Sequence, residues 1–175
     1  MNQKGATLIE MILGIVIIGI LAYVVSDAFI YASRSVLTAN SARDATQSGR
    51  LAIDRMVREI RNIRDNRCVA VADGRTLTFV DMGNNTVAFS WSGVAGAPLM
   101  RNADVLVDQV SNLALTYLNN QEPPGAIGAP IVCGPPNTCL PACAATDIWS
   151  IDINLTTQSG TETMQFRSQV HPVNF

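Results

Sequence analysis

Between Ala6 and Val25 the chain carries a single charge, Glu10, inside an otherwise apolar run. A bilayer core of about 30 Å is crossed by about 20 apolar residues in a helix, so this stretch reads as a membrane helix. A cleaved secretory signal has an apolar core of only about 7 to 15 residues, closed by a small-residue cleavage site. Here the run is longer, and helix-compatible sequence continues through Phe29, Tyr31 and Val36. The ordinary signal is therefore the weaker reading, leaving a plain anchor or an assembly element. Glu10 bears on that choice, because a carboxylate at bilayer depth costs several kcal/mol unless it is paired or protonated. Either Glu10 has a partner in the membrane, or it lies near the surface and stays wet.

The remaining composition narrows the function classes. With 175 residues there is room for one domain and an appendage. Charged residues are 15 % of the chain, below the roughly 25 % of soluble globular proteins, which argues against disorder. The only histidine is His171 and the only lysine is Lys4. Chemistry needing several histidines or a buried lysine is thereby nearly excluded. Residues 1–67 hold nine bases and six acids, whereas the rest holds three bases and eight acids. The two parts, at +3 and −5, are suited to different surroundings, and the overall −2 gives no sign of a nucleic-acid binder.

From Ser33 to Arg64 the chain has no proline and only Gly49 as a glycine. Ile53, Met56, Val57, Ile60 and Ile63 recur at spacings of three and four, lining one helix face that should cover a sheet. The other positions are filled by Arg50, Asp54, Arg55, Arg58, Glu59, Arg61 and Arg64, and Asp54 with Arg58 forms the acid-first pair four apart. Interleaved acids and missing aromatics mark a solvated helix surface and not a nucleic-acid stripe.

After Arg67 the period becomes two. Leu77 and Phe79 alternate with threonines, as do Val87, Phe89 and Trp91 with small or polar residues, and Met82-Gly83-Asn84-Asn85 between them predicts a hairpin. Leu113, Leu115 and Tyr117 form a third alternating set, and Ile151, Ile153 and Leu155 a fourth. The turn Gln158-Ser159-Gly160-Thr161 leads to a last strand through Met164 and Phe166. Gln121 to Pro130 reads as a loop and a candidate contact surface. A long N-terminal helix with one apolar stripe plus several half-buried strands predicts an α+β fold, the helix packed on an antiparallel β-sheet.

Cys68, Cys133, Cys139 and Cys143 are an even set beyond the membrane helix. Their spacing lacks the close pairs of a zinc site, and two disulfides in an oxidising compartment are expected. Three connectivities are open. Gly134-Pro135-Pro136-Asn137 suits a small loop closed by Cys133 and Cys139, which would leave Cys68 to Cys143 and tie the helix end to the late loop. Asp81, Asn84 and Asn85 bring oxygens together, but such a cluster reads first as turn chemistry and only second as a calcium site. No phosphate loop, zinc-protease helix or nucleophile elbow occurs, and His171 reads as an exposed terminal residue. Neither enzymatic activity, metal nor cofactor is expected.

Lys4-Gly5-Ala6-Thr7-Leu8-Ile9-Glu10, followed by the apolar run to Ala22, resembles the class III signal of type IV prepilins and type II secretion pseudopilins. The resemblance implies a pilin-like fold, cleavage by prepilin peptidase between Gly5 and Ala6, N-methylation of Ala6, and a role in filament assembly for Glu10 as the fifth mature residue. It divides the chain into a leader (1–5), a transmembrane and assembly helix (6–30), an amphipathic periplasmic helix (31–66) and a strand-rich head (67–175). Ala6 stands where many members have Phe, and Asp27 where many have a helix-kinking Pro. The Gly49 to Arg61 helix and the order of head elements, with Leu99-Met100-Arg101 followed by Val105 to Tyr117, resemble a minor subgroup: the J-type pseudopilin, the W-type minor pilin and the O-type component of mannose-sensitive haemagglutinin pili. Implied partners are other pilins, prepilin peptidase, the inner-membrane assembly platform and membrane lipid, with no nucleic acid. Implied localisation is the bacterial inner membrane, with the head periplasmic. The rival expectation is a membrane-anchored periplasmic binding module or enzyme outside any filament.

Overall fold

The structure, a computed structural model, describes residues 8–128, 131–132, 139, 147–160 and 162–175. The chain falls into two compact units, residues 1–41 and 42–175. The described part of the first is helical throughout and belongs to helix α1 (Leu8–Arg61). Its large apolar side chains, from Leu8 to Leu37, are all exposed.

The second unit holds the end of α1 and an antiparallel sheet. The strands are β1 (Val69–Ala72), β2 (Thr76–Val80), β3 (Thr86–Trp91), β4 (Ala97–Arg101), β5 (Asp104–Leu118), β6 (Ile131–Val132), β7 (Ser150–Ser159) and β8 (Glu162–Val170). They lie in the order β6-β1-β2-β3-β4-β5-β7-β8. Strands β1 to β5 form a meander, and β7 and β8 extend it as a hairpin through Gly160, whose φ of 61° suits a residue without a Cβ. The α+β architecture, with a long helix packed on an antiparallel sheet in the pilin manner, is as the sequence predicts.

The two periodicities meet in one core. On α1, Gly49, Ala52, Ile53, Met56 and Ile60 are buried. On the sheet, Leu113, Leu115 and Tyr117 stand directly opposite Leu155, Ile153 and Ile151, and Leu77 and Phe79 opposite Phe89 and Val87. All of these sheet residues belong to the same cluster as the helix residues. Gly49 is fixed by proximity: a Cβ there would lie 2.3 Å from a ring carbon of Phe166 on β8.

Two features of the helix differ from expectation. α1 stops at Arg61, because the backbone beyond it is taken by the sheet: Arg64 N–H donates to the Val80 carbonyl and Met82 N–H to that of Asn62. Ile63 therefore reaches the core from a single bridge to Asp81 and not from the helix stripe. Among the described residues, the acid paired on this helix is Glu59 and not Asp54. Glu59 accepts from Arg55, four residues before it, and from Arg101, at 2.8 Å. Register explains the second contact, since Arg101 is paired with Phe89 in the row that continues to Leu77, beneath the helix.

Candidate functional site

The first predicted site lies at the N-terminal end of the chain. Gly5 and Ala6 lie outside the described residues. Glu10 is on α1, exposed, and surrounded along the helix by Leu8, Ile9, Met11, Ile12 and Leu13, all more than half exposed. At 1.5 Å per residue, Leu8 to Val25 spans about 27 Å, close to the thickness of a bilayer core. α1 is accordingly long and apolar enough to cross a membrane, and none of its apolar window is buried within the protein.

Glu10 and Gly14 are four residues apart and share a helix face. A Cβ added at Gly14, or at Gly19, would meet nothing within 4 Å. Packing inside the described chain does not call for either glycine. Gly14 provides a low point on the helix surface one turn from the carboxylate, where a second helix backbone can come close, whereas Gly19, nine residues from Glu10, lies on the opposite face of the helix. Chemically, this end of α1 presents one acid and a smooth apolar wall. That arrangement suits recognition of a cation in a low-dielectric setting, where both attraction and desolvation are large.

The second predicted group is the cysteine set. Cys68 ends a 3-10 turn (Asn66–Cys68) just before β1 and is bonded to Cys139, with their Cα atoms 4.1 Å apart. The pairing of Cys133 with Cys139 and of Cys68 with Cys143 is thereby overturned. The physical reason lies in strand order: β6 is paired with β1, Val132 opposite Val71, which sets the segment before Cys139 beside the strand that begins one residue after Cys68. Cys133 and Cys143 lie outside the described residues.

The oxygens of Asp81, Asn84 and Asn85 serve the β2–β3 turn. Asp81 Oδ1 accepts from the Asn85 backbone N–H at 2.8 Å, Asn84 adopts a φ of 62°, and its side-chain oxygen accepts from Arg64. His171 is exposed, as predicted, but its ring lies 4.1 Å from that of Trp149, and its Nδ1 meets the Trp149 carbonyl oxygen. Sequence reasoning missed that pair, as it missed Glu59 with Arg101, because both link residues distant in the chain. Tyr117 is a further buried polar group: its hydroxyl donates to the Asp73 carbonyl at 2.8 Å. Burial, reinforced by the nearby Asp73 charge, pushes it far above the usual phenol range.

Residues 1–24 match the family model described as the prokaryotic N-terminal methylation motif, the class III signal. No curated protein and no solved structure shows significant similarity to the chain. The motif, together with the apolar helix that carries Glu10, supports a membrane-anchored type IV pilin-like precursor processed by prepilin peptidase.

Proposed function

We propose that this protein is a minor pilin or pseudopilin precursor of the subgroup that includes J-type pseudopilins and the W-type and O-type minor pilins. Prepilin peptidase removes residues 1–5 after Gly5 and methylates the amine of Ala6. The mature chain sits in the inner membrane with its head in the periplasm, and the assembly platform moves it into a filament or its tip. It acts by binding and not by catalysis.

The observation that carries this reading is the methylation motif running directly into a helix whose apolar stretch, Leu8 to Val25, is uncovered and holds a single acid, Glu10. In a stack of parallel helices, the Ala6 amine of one chain lies beside Glu10 of the next. Such a pair specifies register more than it adds stability, because taking both charges out of water offsets most of their attraction. Gly14, on the same face as Glu10, allows the close approach that this pairing needs. The absence of a proline at Asp27 and the long head loops favour a minor component over the main repeating subunit.

Glu10→Ala is the test. The variant should insert in the membrane and be cleaved as the parent chain is, yet its recovery in sheared filaments or tip complexes should fall at least tenfold. Unchanged recovery would contradict an assembly role and favour a passive anchor.

A further inference from the structure

On the head, the chain leaving β5, the chain entering β7 and the C-terminal tail line a groove of about 610 Å³. That is the size of a small-molecule site, typically about 300–1,000 Å³. The groove is mixed in character. Asn119, Asn120 and Gln121 bring carboxamides, Asp147 brings one carboxylate, and Trp149 and Phe175 bring aromatic rings.

Trp149 is 38 % exposed, while the other tryptophan, Trp91, is buried. The exposed indole is nevertheless held in place. Its backbone N–H donates to the Leu118 carbonyl at 2.7 Å, its own carbonyl oxygen meets His171 Nδ1, and its ring packs against that of His171 at a tilt of 45°. A platform ordered before binding loses little freedom when a ligand arrives. Asn119 has a structural task, its Oδ1 accepting from the Gly125 N–H at 2.8 Å and from the Gln121 N–H. That turn leaves the side chains of Asn120 and Gln121 exposed and without a hydrogen bond among the described residues.

The donor set selects the ligand. Among the described residues the lining holds no lysine or arginine, and Asp147 would repel an anion, so phosphate and acidic sugars are disfavoured. Carboxamides donate and accept at once, as hydroxyl groups do. An indole face offers flat apolar area with little conformational cost, suited to the C–H face of a sugar ring. We propose that this groove binds a neutral saccharide. The site does not depend on the assembly reading, since the head would keep it whether or not the chain enters a filament.

Saturation-transfer NMR on the full chain, held in a phosphocholine detergent that carries no sugar, tests this. The probes are lactose, cellobiose, mannobiose and N,N′-diacetylchitobiose, with sialyllactose as the acidic comparison. At least one neutral disaccharide should bind with a dissociation constant of about 1 mM or tighter. Asn120→Ala with Gln121→Ala should weaken it about tenfold, since the hydrogen bonds these carboxamides lose are only partly recovered by water. Trp149→Ala should abolish it. If that variant fails to fold by circular dichroism, the Asn120 and Gln121 double variant, altered only at exposed side chains, decides. Absence of saturable binding by every neutral probe, preference for sialyllactose, or binding unchanged in the folded variants would overturn the proposal.

Discussion

Tyr117 links one hydroxyl to the stability of the whole head. It is 1 % exposed and its hydroxyl donates to the Asp73 carbonyl. Its pKa is raised in the folded state, so the unfolded chain ionises first, near the ordinary value of about 10. The stability it contributes is complete below that pH and is lost as pH rises above it, by up to about 1.4 kcal/mol per pH unit. Tyr117→Phe should remove this alkaline slope while costing about 1 kcal/mol at neutral pH for the lost hydrogen bond. Denaturant titrations at pH 7 to 11, followed by tryptophan fluorescence, would show it. Tyr117 is also a measure of what single residues reveal in a sequence. Its place in the alternation with Leu113 and Leu115 marks it as inward-facing, but nothing in that pattern names Asp73, 44 positions earlier, as the acceptor. The same limit hides Arg101 from Glu59. Periodicity tells which face a residue takes, whereas its partner depends on strand order, which a local pattern does not contain.

At the scale of elements, what could be read followed the strength of the period. Phe79 and Val87, opposite each other across the turn at Asn84, were visible because a two-residue alternation was interrupted by turn-forming residues. β1 and β6 were not, since four residues and two residues are too few to establish a period. Those two short strands decide the disulfide. Because β6 lies along β1, Cys68 meets Cys139, 71 residues away, and the small-loop pairing of Cys133 with Cys139 fails. Closing so long a loop restricts the unfolded chain, and Cys68→Ser with Cys139→Ser should lower stability by about 2–5 kcal/mol. Peptide mapping without reductant should recover a fragment joining Cys68 to Cys139. Equal stability of the double variant in denaturant would show that the β6–β1 edge is held without the crosslink.

At the scale of the molecule, the chain joins two unlike surfaces. One is a helix that leaves its apolar side chains uncovered from Leu8 to Leu37, and the other is a head with a closed core of helix and sheet residues. The first is legible in sequence almost residue by residue, because a single acid in an apolar run and the residues around it carry the signal locally. The groove beside Trp149 is not, because it is assembled from segments distant in the chain, around Asn120, Trp149 and Phe175. Whether the first surface belongs to a processed, filament-forming chain is decided by intact-mass and N-terminal peptide analysis of the protein isolated from membranes. The mature chain should begin at Ala6 and carry one methyl group on its amine. A chain retaining Met1 in the presence of active prepilin peptidase, or one cut near Ser26 instead, would contradict it.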